Sequence, residues 1–106
     1  MLGPSQQNDQ LFFRLCSDHV SIEAIPKKPI LIDLERIKSS PADGYELMMW
    51  TPHFAVLKNP VGHEITLRKD GRMVIRRAGS EDAARQTAVN VLRSVLRDVG
   101  FSIKSQ

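Results

Sequence analysis

The stretch Glu64-Ile-Thr-Leu-Arg-Lys-Asp-Gly-Arg-Met-Val-Ile-Arg-Arg77 decides how this chain folds. Two alternating runs flank Asp70-Gly71, and Asp-Gly between such runs is the strongest short-range signal for a β-hairpin. A two-residue type I′ turn needs positive φ at both central positions, which Asp and Gly tolerate. The expected hairpin therefore turns at Asp70-Gly71. Side chains alternate across a strand, so Ile65, Leu67, Met73 and Ile75 claim one face. Thr66, Arg68, Arg72, Val74 and Arg76 fall on the other.

Downstream, the period changes from two to 3.6. Ala84, Ala88, Val91, Leu92, Val95 and Val99 recur at three- and four-residue steps and form one apolar stripe. Ser80 is placed to cap this helix, Glu81 and Asp82 suit the positive end of its dipole, and Gly100 suits its C′ position. The stripe is expected to cover the Ile65/Leu67/Met73/Ile75 face, while Arg85, Gln86, Asn90 and Arg97 face away. Upstream, His53 to Lys58 reads as a strand closed by a turn at Asn59-Pro60-Val61-Gly62. Ile30, Leu34 and Ile37 stand at helical spacing within Ile30–Lys38, a run ended by Ser39-Ser40-Pro41. Leu11–Leu15 and Val20–Ile25 are short strand candidates, and Tyr45–Trp50 reads as the start of a bent strand interrupted at Pro52. Two helices on one side of an antiparallel sheet make an α+β layer fold.

Composition narrows the class. A chain of 106 residues, 42% hydrophobic and 25% charged, fits one domain over 1–106 with a modest core. The lone Cys16 cannot form an internal disulfide, which points to a reducing, cytoplasmic setting. No apolar run reaches the roughly 18 residues that would span a bilayer, so no membrane partner is expected. The net charge of +3 is uneven: residues 1–50 hold five Lys/Arg against seven Asp/Glu, and residues 51–106 hold ten against five. A basic half attracts anionic partners, nucleic acid among them, without itself specifying function.

Catalytic and metal chemistry find little footing. His19, His53 and His63 lack ligand spacing, one Cys cannot build a thiolate zinc site, and an extended Cys16…His19 would send its side chains to opposite faces. Neither a Gly-x-Ser-x-Gly elbow nor a phosphate-cradling glycine loop is present. Asp33 and Glu35 suit a helix start. No enzyme activity, cofactor or metal is expected. Met48-Met49-Trp50 reads as core or dimer interface, and Pro26-Lys27-Lys28-Pro29 as a solvated turn.

The order and spacing of these segments resembles one repeat of the TATA-box-binding protein family, over roughly Val20 to Phe101. Gly71-Arg72-Met73-Val74 resembles the family's Gly-Lys-Met-Val strand. Ala78-Gly79-Ser80-Glu81-Asp82-Ala83 resembles its Gly-Ala turn and the Ser-Glu-Glu opening of its long helix. Asp33-Leu34, Tyr45 and the spacing from Tyr45 to Asn59-Pro60 fit the same pattern. The resemblance implies a curved antiparallel sheet with helices on one face, like one half of that family's saddle. It implies a repeat over 18–101 preceded by an extension over 1–17. Family members carry two repeats and this chain has room for one, so a saddle requires a homodimer.

The family wedges two Phe per repeat into the minor groove. Here the first such place holds Trp50 and the second Arg68, and a guanidinium is no apolar wedge. Ser21 stands where the first strand offers an Asn, Arg76 where the last offers a Thr, and Val74 is kept. The candidate nucleic-acid face is therefore Arg68, Arg72, Arg76, Thr66, Val74 and Trp50, with little base specificity. Forked guanidinium donors suit phosphates. A solvated or protein-covered face is the alternative, as in a protein-interaction or ligand-sensing module, because arginines on strands also discourage aggregation.

Overall fold

The computed structural model describes residues 11–16, 21–28, 30–39, 44–98 and 102–103, with side chains described as far as Arg93. The fold is α+β: a curved, fully antiparallel six-stranded sheet with helices on one face. In chain order the elements are β1 (Leu11–Leu15), β2 (Ile22–Pro26), β3 (Ile30–Leu31), α1 (Leu34–Ser39), β4 (Glu46–Trp50), β5 (Phe54–Lys58), β6 (Glu64–Arg68), β7 (Met73–Arg76), α2 (Glu81–Asp98) and β8 (Ser102–Ile103). The main sheet runs β1-β2-β7-β6-β5-β4, and β3 pairs with β8 in a separate ribbon.

The inward face follows the expected alternation. Ile65, Leu67, Met73 and Ile75 are each 0% exposed, joined by Ile22, Ala24, Ala55 and Leu57. Ala84, Ala88 and Val91 of α2 and Leu34 and Ile37 of α1 complete the same cluster. Each fully buried Ile or Leu contributes about 1.5–3 kcal/mol, so this layer carries the stability. The Ser80 hydroxyl accepts from Ala83 N–H at 3.1 Å and caps α2 as expected. The side chains of Val95 and Arg97 lie outside what is described, as do residues Val99, Gly100, His19, Val20, Ser40 and Pro41.

Four local expectations change. The β6–β7 hairpin turns through three residues, Lys69-Asp70-Gly71, closed by Arg68 N–H to Arg72 O at 2.8 Å and Gly71 N–H to Arg68 O at 2.9 Å. Gly71 has φ +90°, whereas Asp70 is not among the positive-φ residues, so this is a type I turn with a left-handed third residue. Directly opposed residues on antiparallel strands share a face. A two-residue turn at Asp70-Gly71 would set Leu67 against Val74, buried against outward-facing. The observed loop sets Leu67 against Met73 and Ile65 against Ile75, both pairs buried.

The helix expected over Ile30–Lys38 begins only at Leu34, because Ile30–Leu31 pair with β8. Pro52 marks no interruption of one strand; it is the corner of a tight turn. The Thr51 hydroxyl accepts from the His53 and Phe54 N–H groups at 3.0 Å, and β4 and β5 leave that turn as a hairpin. Leu11–Leu15, expected within an N-terminal extension, is the outermost strand of the sheet and buries Leu11.

Candidate nucleic-acid interface

The face of the sheet opposite the helices is built by the outward residues of all six strands. Its central cross-strand row reads Arg14, Glu23, Val74, Thr66, Val56, Met49. On one side lie Arg72, Arg68 and Phe54, with Phe54 directly opposite Arg68. On the other side runs Arg76, Glu64, Lys58, Glu46. Arg72 and Arg76 are four residues apart on one strand, so the two flanking rows stand about 13 Å apart across a middle row that is uncharged from Val74 to Met49.

Of the six candidate residues, five lie on this face: Arg68, Arg72, Arg76, Thr66 and Val74. Trp50 does not. The β4–β5 register passes from Leu47 opposite Leu57 to Met49 opposite Val56, so Met48 is an extra residue in the ladder. That bulge turns Trp50 inward opposite Ala55. There the indole Nε1 donates to the Leu34 carbonyl at 2.8 Å, and the Lys38 ammonium sits 4.4 Å from the ring centre. The indole thus satisfies a carbonyl in the first turn of α1 and packs against the core. Ser21 is also withdrawn, at 3% exposure.

Two of the arginines work within a charge network. Arg68 pairs with Asp70 at 2.9 Å, and Arg72 lies between Glu23 at 3.7 Å and Asp70 at 4.0 Å. Asp70 also accepts the Arg72 N–H at 3.1 Å, so one carboxylate both shapes the turn and orients two guanidinium groups. Glu23 also holds Arg14; first that hydrogen bond and then the charge raise the Arg14 pKa above its ordinary value. Arg76 has no acidic partner among the described residues; its neighbour Arg77, at φ 63°, takes Glu64 instead at 3.2 Å. Such exposed pairs are individually weak, about 0–1 kcal/mol, so phosphate can compete for these guanidinium groups.

Sequence alternation missed Phe54 and Val56. Every residue from Phe54 to Leu57 is apolar, so hydropathy could not say which pair faced outward. Ala55 and Leu57 are fully buried, leaving Phe54 and Val56 on the outer face. Beside Phe54, a cleft of about 580 Å³ opens at the hairpin end, lined by Ile30, Leu31, His53, Arg68 and Lys69 among others. No group of three or more His, Cys, Asp or Glu able to hold a metal occurs among the described residues, and none of their helices is long and apolar enough to cross a membrane. No family model, curated protein or solved structure matches the chain.

Proposed function

We propose that this is a non-enzymatic nucleic-acid-contacting domain of the cytoplasm, built like one repeat of the TATA-box-binding protein family and acting as a homodimer. The observation that carries the reading is the placement of Arg68, Arg72 and Arg76 on one open sheet face, in two rows flanking Thr66 and Val74. Guanidinium groups on either side of the uncharged Thr66 and Val74 suit two phosphate tracks, with that pair passing over sugars and base edges. Apart from the two-residue β3, the order from β2 to α2 is strand, helix, four strands and long helix, as the resemblance implies. The inward Trp50 and the charged Arg68 leave neither supposed wedge place with an outward aromatic, so shape and charge dominate over kinking.

Binding of duplex and single-stranded DNA, followed while salt is raised from low concentration, tests this directly. The log–log slope should be about −2 to −3 per copy, since each neutralised phosphate contributes roughly 0.7–0.9. Arg76→Gln should weaken binding uniformly across sequences and lower the slope by about 1. Asp70→Asn keeps an acceptor for the Arg72 N–H yet removes the charge that occupies Arg68 and Arg72, so it should tighten binding several-fold. Absence of binding in low salt rejects the reading. It would leave the second one, a protein or small ligand on the same face, which is favoured by the exposed Met48 and Met49 beside Val56.

A further inference from the structure

The sheet has two edges, β1 and β4, and they are built differently. β4 carries the bulge at Met48, which breaks its ladder and twists the strand, and Glu46 sits at its start. Bulges and charges of this kind discourage pairing with another chain. β1 has no bulge. Its five residues pair with β2 in an unbroken register from Leu11 opposite Pro26 to Leu15 opposite Ile22. Among the described residues no strand pairs with its other edge. Phe12 and Leu15 are 58% and 40% exposed there. The one charged residue, Arg14, is drawn across the sheet to Glu23.

We propose that β1 is the surface through which a second copy of this chain docks, by antiparallel β1–β1 pairing that joins two six-stranded sheets into one of twelve. The inference rests on the homodimer reading above and names its interface. Leu11-Phe12-Phe13-Arg14-Leu15 is self-complementary when it runs antiparallel to itself. A two-fold axis normal to the sheet keeps both outer faces on the same side only if the axis passes through a residue, because a one-residue slip flips every side chain. Centred on Phe13, all five residues find partners: Leu11 meets Leu15, Phe12 meets Arg14, and Phe13 meets itself. The outer face then gains two cation–π pairs, each between Phe12 of one copy and Arg14 of the other, at a ring that already accepts the Lys27 ammonium 5.0 Å from its centre within the chain. The inner face gains contacts among Leu11, Leu15 and Phe13 beside the Arg85 guanidinium, which stands 5.3 Å from the Phe13 ring centre. Two basic faces become continuous across the seam.

The experiment compares the sedimentation mass of the full chain with those of Phe12→Lys and Met49→Lys. Both sites are exposed, so neither change threatens the core. Phe12→Lys would set a cation opposite Arg14 twice across the seam and should weaken dimerisation at least tenfold. Met49→Lys, on the opposite edge, should leave it unchanged. A dimer that survives Phe12→Lys, or one that Met49→Lys disrupts, overturns β1 as the interface while leaving a homodimer in place. A wild-type monomer overturns both the interface and the homodimer. DNA titration of the same three proteins reports separately on the sheet face.

Discussion

Gly71→Ala is expected to destabilise the protein by about 2–5 kcal/mol, the largest effect of any glycine substitution in the described chain. Two costs add. At φ +90° an alanine sits in the left-handed region, which costs about 1–2 kcal/mol for a residue with a Cβ. That Cβ would also overlap the Cδ1 and Cγ1 atoms of Ile30 and touch Pro26 at 3.0 Å. Ile30 is held in the β3–β8 ribbon, so its retreat would disturb the strand entering α1, and overpacking of this kind typically costs about 1–3 kcal/mol. Gly62 and Gly79 supply the control. They have φ +95° and +86°, yet an added Cβ would meet nothing within 4 Å. Their alanine variants should show the backbone cost alone, about 1–2 kcal/mol. Urea midpoints for the three proteins check the difference, provided the slopes agree.

Trp50→Ala should cost about 3 kcal/mol, at the low end for an aromatic truncation because the indole is only half-buried. It removes packing against the core, the Lys38 contact and the bond to the Leu34 carbonyl. Trp50→Phe retains most of the apolar bulk and deletes the Nε1 donor, so it should cost roughly 1 kcal/mol. Because the side chain lies on the helix side, neither change should alter DNA affinity measured at a temperature where the variant is folded. Trp50 emission should likewise follow unfolding and remain steady as DNA is added. Strong quenching by DNA would place nucleic acid on the helix side of the sheet and reject the outer-face interface.

These two sites show how far local sequence could be read. The inward set Ile65, Leu67, Met73 and Ile75 was legible because burial on one face imposes a period of two that neighbouring polar residues make visible. The same parity contained the loop length. Requiring Leu67 opposite Met73 leaves an odd number of residues in the turn, which Asp-Gly preference by itself does not reveal. Phe54 was not legible, since Phe54-Ala-Val-Leu57 offers apolar residues to both faces. Trp50 was misplaced because a bulge leaves the composition of a strand unchanged while inverting the parity of everything after it.

The amino-acid sequence alone determined the α+β class, the buried face of the central hairpin, the Ser80 cap and the placement of three arginines on the outward side. All of these depend on interactions spanning a few residues, and periodicity records such interactions directly. Only the tertiary structure decided that β1 lies outside β2, that Met48 turns Trp50 toward Leu34, and that Asp70 and Glu23 share the arginines between them. Strand order and bulges arise from pairing between segments distant along the chain, where packing against the whole core outweighs local preference. The basic face is therefore written in the sequence, whereas its neighbours, its partial neutralisation and the edge it leaves open are consequences of folding.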